Sequence, residues 1–338
     1  MIISRTPFRI SFFGGGTDYP AWFNRHGGSV IGTTIDKYCY LSVRRLPPFF
    51  AHKHRIVWSE IELVNQIGEI RHPAVNAILR EMEIEEGMEI AYNADLPARS
   101  GLGSSSAFIV GLLNALHALR GQRIAKQDLA AEAIHMEQEV MKEAVGNQDQ
   151  IWAAHGGLNR IDFHPDGSCD VSPVIVDKAA RGRLQDSLML FFTGFSRDAF
   201  ALAQKQIDNM DAKEAELHRM AALVDEASDL LARGDDGIAE FGRMMHESWL
   251  MKRALAEGVS TPAIDAIYDT GRAAGAFGGK LLGAGGGGFM LFVVPPDARE
   301  RLRAALSDLI CVSFAFETGG SRIIVFEPEE PVDSDAAR

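Results

Sequence analysis

A chain of 338 residues with 46% hydrophobic and 24% charged side chains has the makeup of a soluble globular protein and length enough for two domains. Its formal net charge of -12, with no long Lys/Arg block, excludes nucleic acid as a partner, because a phosphate backbone demands a basic stripe. Cys39, Cys169 and Cys311 are too scattered for a disulfide framework or a metal cluster, and no apolar run is long enough for a membrane span or an export signal. The expected compartment is the reducing cytoplasm.

In chain order, Arg5–Phe13 predicts a strand that runs into three glycines, and Ser29–Arg44 and Arg55–Val64 predict further strands. Pro73–Met82 reads as a short helix and Met88–Tyr92 as a strand. Ala107–Leu119 is apolar nearly all round, the pattern of a buried helix. Asp128 is placed to cap a helix over Leu129–Val145, with Gly146 stopping it. Leu158–Phe163 and Cys169–Val176 flank His164-Pro-Asp-Gly-Ser168, a hairpin signal. A strand follows at Leu188–Thr193. Helices then fill 198–274, punctuated by Gly234, Gly258 and Gly275. The chain returns to strand–loop–strand at Gly278–Val294, a helix over Ala298–Leu309, and strands near 312–317 and 322–326. The expected division is an α+β N-terminal domain over 1–175, a C-terminal domain over 176–326, and a frayed acidic tail at 327–338.

Three glycine-rich segments carry chemistry. Pro97-Ala-Arg-Ser-Gly-Leu-Gly-Ser-Ser-Ser-Ala107 sits between a predicted strand and the buried helix. Glycines at a helix N-terminus free successive N–H groups to cradle phosphate, and serine hydroxyls can reach a metal ion. Gly-Lys-Ser/Thr is absent, so this is not a Walker loop; a serine-capped helix after a tight turn would look similar. Gly283-Ala-Gly-Gly-Gly-Gly-Phe289 spends four successive glycines in one loop, which points to close backbone approach. In Phe8-Arg-Ile-Ser-Phe-Phe-Gly-Gly-Gly-Thr-Asp-Tyr19, Arg9 is charged inside an apolar strand and needs a carboxylate or phosphate partner. The glycine turn that follows presents Thr17 and Asp18.

Taken together, these segments resemble the GHMP kinases, a superfamily that includes galactokinase, homoserine kinase, mevalonate kinase and phosphomevalonate kinase. Pro97–Ala107 is similar to the second family motif and Gly283–Phe289 to the third, while Pro7–Tyr19 resembles the first motif of the sugar kinases. Gly15 and Gly16 stand where galactokinases carry Glu and His, which argues against plain galactose. The opening Arg5–Pro20, with Gly32–Tyr38, Leu46–Phe50 and Thr193–Arg197, resembles bacterial D-glycero-D-manno-heptose 7-phosphate kinases.

The resemblance implies a two-domain fold, ribosomal S5 domain 2-like then ferredoxin-like, and an ATP- and Mg2+-dependent kinase of a small sugar phosphate. Its product would be a heptose 1,7-bisphosphate. A homodimer is compatible with it. By the same resemblance Pro97, Gly101, Leu102, Gly103, Ser104, Ser105, Ser106, Gly285 and Gly286 would hold ATP. Asp149 in Gly146-Asn-Gln-Asp-Gln150 would take the proton of the acceptor hydroxyl beside Arg9. Ser104 or Ser105 would hold Mg2+ with Glu137, Glu139 being the rival carboxylate. Gly15, Gly16, Thr17 and Asp18 would meet the sugar, and Arg44, Lys53, Arg55 and Arg197, with Lys280 as a further cation, are available to a 7-phosphate. The competing expectations are a galactokinase- or fucokinase-like kinase of an unphosphorylated sugar, and a non-catalytic sugar or ATP sensor on the same scaffold.

Overall fold

The computed structural model describes residues 1–194, 199–234 and 237–327. Arg197 and the tail from 328 onward therefore lie outside the described residues. Two antiparallel-rich sheets with helices packed on them form an α+β molecule. The larger sheet has nine strands, with the order Arg322–Phe326, Ile2–Phe13, Gly28–Arg45, Met88–Ala94, His54–Val57, Ile61–Val64 along its main path. Among the described residues its one parallel pairing joins His54–Val57 to Met88–Ala94. The smaller sheet runs Ile310–Val312, Leu188–Phe192, Phe289–Val293, Gly278–Leu281.

The first strand is buried without a break from Thr6 to Phe13, because both of its faces are covered. On one side lies the Ser104–Leu119 helix, whose all-round apolar sequence fits a helix enclosed by the sheet and two further helices, Lys126–His135 and Gln148–His155. On the other lie Glu214–Arg233 and Ile238–Leu255, helices of the second half of the chain. The last strands return to the first sheet: Phe316–Glu317 pairs with Gly28–Arg45, and Arg322–Phe326 flanks Ile2–Phe13.

Most expected elements are present with shifted ends; one differs in kind. The helix expected over 129–145 starts at Lys126 and is α-helical only to His135. Ala125, not Asp128, is its N-cap, and Asp128 lies inside the first turn. Met136–Val140 then forms one wide π turn, and Lys142 takes a left-handed φ of 56°. Such turns interrupt α-helices at functional sites. Here the turn carries Glu137 fully inside while leaving Glu139 in solvent against Lys142, which rules Glu139 out as a partner for the serine loop.

Trp152 anchors the short Gln148–His155 helix. Its indole presses on the Gly32 backbone so closely that a Cβ there would lie 2.8 Å from the ring. Trp152→Ala opens a cavity under this helix and is expected to cost about 3–5 kcal/mol by urea denaturation. A loss under about 1 kcal/mol would show that the helix does not hang on the indole.

Candidate active site

A cavity of about 620 Å³ runs between the halves of the chain, with the serine–glycine loop at its middle. Its walls come from segments far apart in sequence, and backbone contact explains their meeting. Gly101 has φ 79° and Gly283 φ 75°, both in the left-handed region. A Cβ on Gly101 would lie 2.4 Å from the Leu282 carbonyl, and one on Gly283 2.4 Å from the Gly101 Cα. The two glycine loops touch main chain to main chain, and no side chain would fit between them.

Arg9, 5% exposed, organises one end. Its Nε donates to Asp149 Oδ1 and its Nη2 to Asp149 Oδ2, both at 2.7 Å, while Nη1 donates to the Gly101 carbonyl at 2.7 Å. This fork fixes the plane of the carboxylate as a single donor could not. Asp18 lies alongside, accepting from Gly16 N at 2.9 Å and from Gln148 Nε2 at 2.8 Å. Burial, with some repulsion from Asp149, raises its carboxyl above the usual range.

Two lysines border the same end. Lys252 donates from Nζ to the carbonyls of Leu281, at 3.1 Å, and Gly283. Lys280 donates to the Phe12 carbonyl at 2.9 Å. Both are almost wholly buried and bonded to carbonyls. Burial lowers Lys252 to about 7, and drives Lys280 well down with help from Lys252 and Arg9. A bound anion would relieve both. Sequence reading missed Lys252, since nothing in a helical Leu-Met-Lys-Arg run marks which lysine faces inward.

The carboxylates beside the serine loop are under the opposite strain. Glu137 accepts from Ser106 Oγ at 2.9 and 3.1 Å and from Gln150 Nε2, yet burial pushes it up to about 8. Burial pushes Glu143 up to about 7, and its buried Oε2 has no hydrogen-bond partner. Ser104 accepts from Arg99 N, and Ser105 is exposed to the cavity. Two destabilised carboxylates, one with an orphaned oxygen, next to serine hydroxyls are an oxygen-rich set that suits Mg2+. Glu137, Ser105 and Ser106 would hold such an ion, with Glu143 in reach of its shell. Ser11 Oγ and Gln148 Oε1 also line the cavity, buried and without a protein partner, and would suit a polar ligand.

The far end is aromatic. His72 stacks on Phe108 with centroids 4.6 Å apart, and Trp58 and Tyr92 meet these rings edge-on at 5.0 and 5.3 Å. Four rings scattered between positions 58 and 108 carry no joint sequence signal.

Of the expected site residues, the structure brings Arg9, Gly15, Gly16, Asp18, Gly101, Gly103, Ser104, Ser105, Ser106, Glu137, Asp149 and Lys280 to this cavity. Others go elsewhere. The Thr17 hydroxyl is spent on the Gly14 and Ser29 carbonyls. Arg44 and Arg55 both bind Glu89, at 2.6 and 2.5 Å, on the outer strands, and exposed Lys53 sits at the same edge. These three cations do not line the cavity because their strands turn them to a surface carboxylate or to water. Leu102 is buried, offering its carbonyl to Arg9 N. Pro97 borders a second cavity, of about 730 Å³, with Phe289 and Ile310. Gly285 and Gly286 pack on Val259.

The family model for the GHMP kinases N terminal domain matches residues 67–157, and that for the GHMP kinases C terminal domain matches 227–309. The chain is 27% identical to a D-glycero-alpha-D-manno-heptose 7-phosphate kinase of Campylobacter jejuni over 317 residues, 90% of this chain and 93% of that one. It is 26% identical to an L-fucokinase/L-fucose-1-P guanylyltransferase of Bacteroides fragilis, covering 91% of this chain and 36% of that one. Its fold is similar to that of a D-glycero-D-manno-heptose 1-phosphate kinase from Bacteroides thetaiotaomicron, with TM-score 0.78 at 24% identity over 97% of this chain and 100% of that one. It is also similar to that of Lactococcus lactis galactokinase complexed with galactose, with TM-score 0.69 at 17% identity over 95% and 94%.

The Glu137 carboxyl rises to about 8 from an ordinary 4.5, so between those values the folded chain holds a proton that the unfolded chain has lost. Its contribution to stability therefore falls as pH rises through that window. Without divalent ions, wild type melted alongside Glu137→Gln should lose ground to the variant between about pH 5 and about pH 8. Mg2+ should restore part of that loss in wild type alone. Parallel melting curves would mean that Glu137 is not the titrating group.

Proposed function

The chain belongs to the GHMP kinase superfamily of ATP-dependent phosphotransferases acting on an alcohol, and we propose that its acceptor is the anomeric hydroxyl of D-glycero-D-manno-heptose 7-phosphate. The observation that carries this reading is the acceptor end of the cavity. There the carboxylate of Asp149, held flat by Arg9, stands beside Asp18, Gln148 and Ser11, with two lysines bordering the same end. Directional acceptors and donors distinguish one sugar stereoisomer from another more sharply than an apolar wall can.

On this reading Asp149 orients the acceptor hydroxyl and takes its proton as the oxygen bonds to the transferred phosphorus and ADP leaves. An anomeric hydroxyl is more acidic than an ordinary alcohol, which suits a carboxylate acceptor. Arg9 holds Asp149 in place, and with Lys252 sets positive charge where the transferring group gains negative charge. Mg2+, held at Glu137 and the serine loop, would supply the neutralisation that lets two anions approach. The ring wall of Trp58, His72, Tyr92 and Phe108 suits a flat adenine base. Lys280 lies on the acceptor side, bonded to the carbonyl next to Ser11; an anion bound there would favour its charged form, and it is the candidate contact for the 7-phosphate. The chain's resemblance to the Campylobacter kinase supports the heptose, and Gly15 and Gly16 support an acceptor other than galactose.

ADP release with ATP and Mg2+ tests this across heptose 7-phosphate, free heptose, galactose and fucose. The 7-phosphate should be turned over in preference, and Asp149→Asn should cut its kcat at least about a hundredfold. Equal turnover of a free sugar would discard the phosphorylated acceptor while leaving the kinase intact. Lys280→Met should raise KM for the 7-phosphate about tenfold or more and spare that for free heptose. Lys252→Met should instead lower kcat for every acceptor by about a hundredfold. If Lys280→Met affects both acceptors alike, the 7-phosphate is held by other groups.

A further inference from the structure

Outside the cavity, three side chains with metal-binding chemistry meet where the two halves of the chain join. His26 closes the Pro20–His26 helix, and Glu214 and His218 lie one turn apart at the start of Glu214–Arg233. One ligand atom from each lies within 4.8 Å of both others, the one such group among the described residues. His218 Nε2 stands 3.6 Å from Glu214 Oε1. The two imidazoles meet edge-on, 5.2 Å between centroids at 87°. Trp22 backs them both, stacking on His26 at 4.2 Å and meeting His218 edge-on at 5.0 Å.

The donor set narrows the ion. Two imidazole nitrogens and one carboxylate oxygen suit a borderline-soft cation such as Zn2+, whereas Mg2+ selects oxygen alone. The geometry is close to what zinc needs. Bonds of about 2.0–2.2 Å in a tetrahedron place ligand atoms roughly 3.3–3.6 Å apart. Reaching that from the observed separations takes small side-chain rotations, and Glu214 and His218 are exposed enough to make them. His26 is already oriented by the indole beneath it. The Glu214–His218 spacing of four residues puts both on one face of their helix.

We propose that His26, Glu214 and His218 bind Zn2+, with water completing the shell, as an interdomain staple distinct from the Mg2+ site. The ion would tie together the two elements that enclose the acceptor loop. The Pro20–His26 helix begins right after Asp18-Tyr19. On the other element, Leu217, next to His218, packs against the loop: a Cβ at Gly16 would lie 3.2 Å from its Cδ2. Val224, two turns on, abuts Gly14 in the same way. The Arg25–Asp211 pair, at 2.6 Å, crosses this joint too, but it is solvent-exposed and holds the joint weakly.

The test needs neither ATP nor a sugar, so it stands or falls apart from the substrate assignment. Tag-free, chelator-treated full chain is titrated with Zn2+ by calorimetry, with Co2+ as an optical probe. Wild type should bind one equivalent of Zn2+, melt at a higher temperature with it, and give the visible absorption of tetrahedral cobalt. His218→Ala and His26→Gln should each weaken Zn2+ at least about tenfold and abolish the cobalt band, while circular dichroism stays native. Glu214→Gln should weaken Zn2+ with both imidazoles retained. Failure of wild type to bind stoichiometrically, or unchanged binding in the His26→Gln/His218→Ala double variant, overturns the proposal.

Discussion

The structure depends on one buried guanidinium. Arg9 comes from the first strand, binds Asp149 on a helix with both arms of its fork, and uses its remaining terminal nitrogen on the Gly101 carbonyl. Its own backbone N–H reaches the Leu102 carbonyl at 3.0 Å. One residue therefore registers the first strand, the serine–glycine loop and the Asp149 helix against each other. A charge buried this deeply is tolerable only with its donors satisfied, so the ion pair and the loop geometry stabilise each other. Lysine could not replace it, having no planar fork with which to hold the Asp149 carboxylate flat and still reach Gly101.

Around that pair the cavity keeps charges in unfavourable states. Glu137 and Glu143 are pushed up and Lys252 and Lys280 down, in each case mainly by loss of water. A structure selected only for stability would have apolar groups at these positions. The carboxylates border the serine loop and the lysines border the Arg9 end, so the groups suited to a cation and those suited to an anion lie at different places along one cleft. This separation suits a reaction in which a metal-bound polyphosphate meets a second anionic or polar partner.

The sequence made the glycine segments legible because close backbone approach leaves a compositional mark: Gly101 and Gly283 sit where a Cβ would collide with main chain, and Gly103 where one would crowd Arg9. Arg9 was legible as a charge in an apolar strand. The strand and helix periods also gave most elements. What escaped was decided by tertiary packing. The π turn that separates Glu137 from Glu139 has no local signature in Met-Glu-Gln-Glu-Val. Arg44 and Arg55 look as available as Lys252 and Lys280 in one dimension. Only the fold shows the first pair meeting Glu89 and the second pair enclosed with the cavity. The four-ring wall is invisible for the same reason. Each of its rings belongs to a different local pattern.

The pairing of Arg322–Phe326 with Ile2–Phe13 bears on how the molecule is made. Synthesis runs from the N-terminus, so the strand that carries Arg9 is made long before the strand that flanks it. Until then Ile2–Phe13 has an open outer edge along its first residues, a row of free N–H and C=O groups on an apolar segment. Loop closure over almost the whole chain must precede that contact, which slows the step. The first sheet is thus completed only once residues 322–326 have been made, and a nascent chain stalled before residue 322 would present a sticky edge.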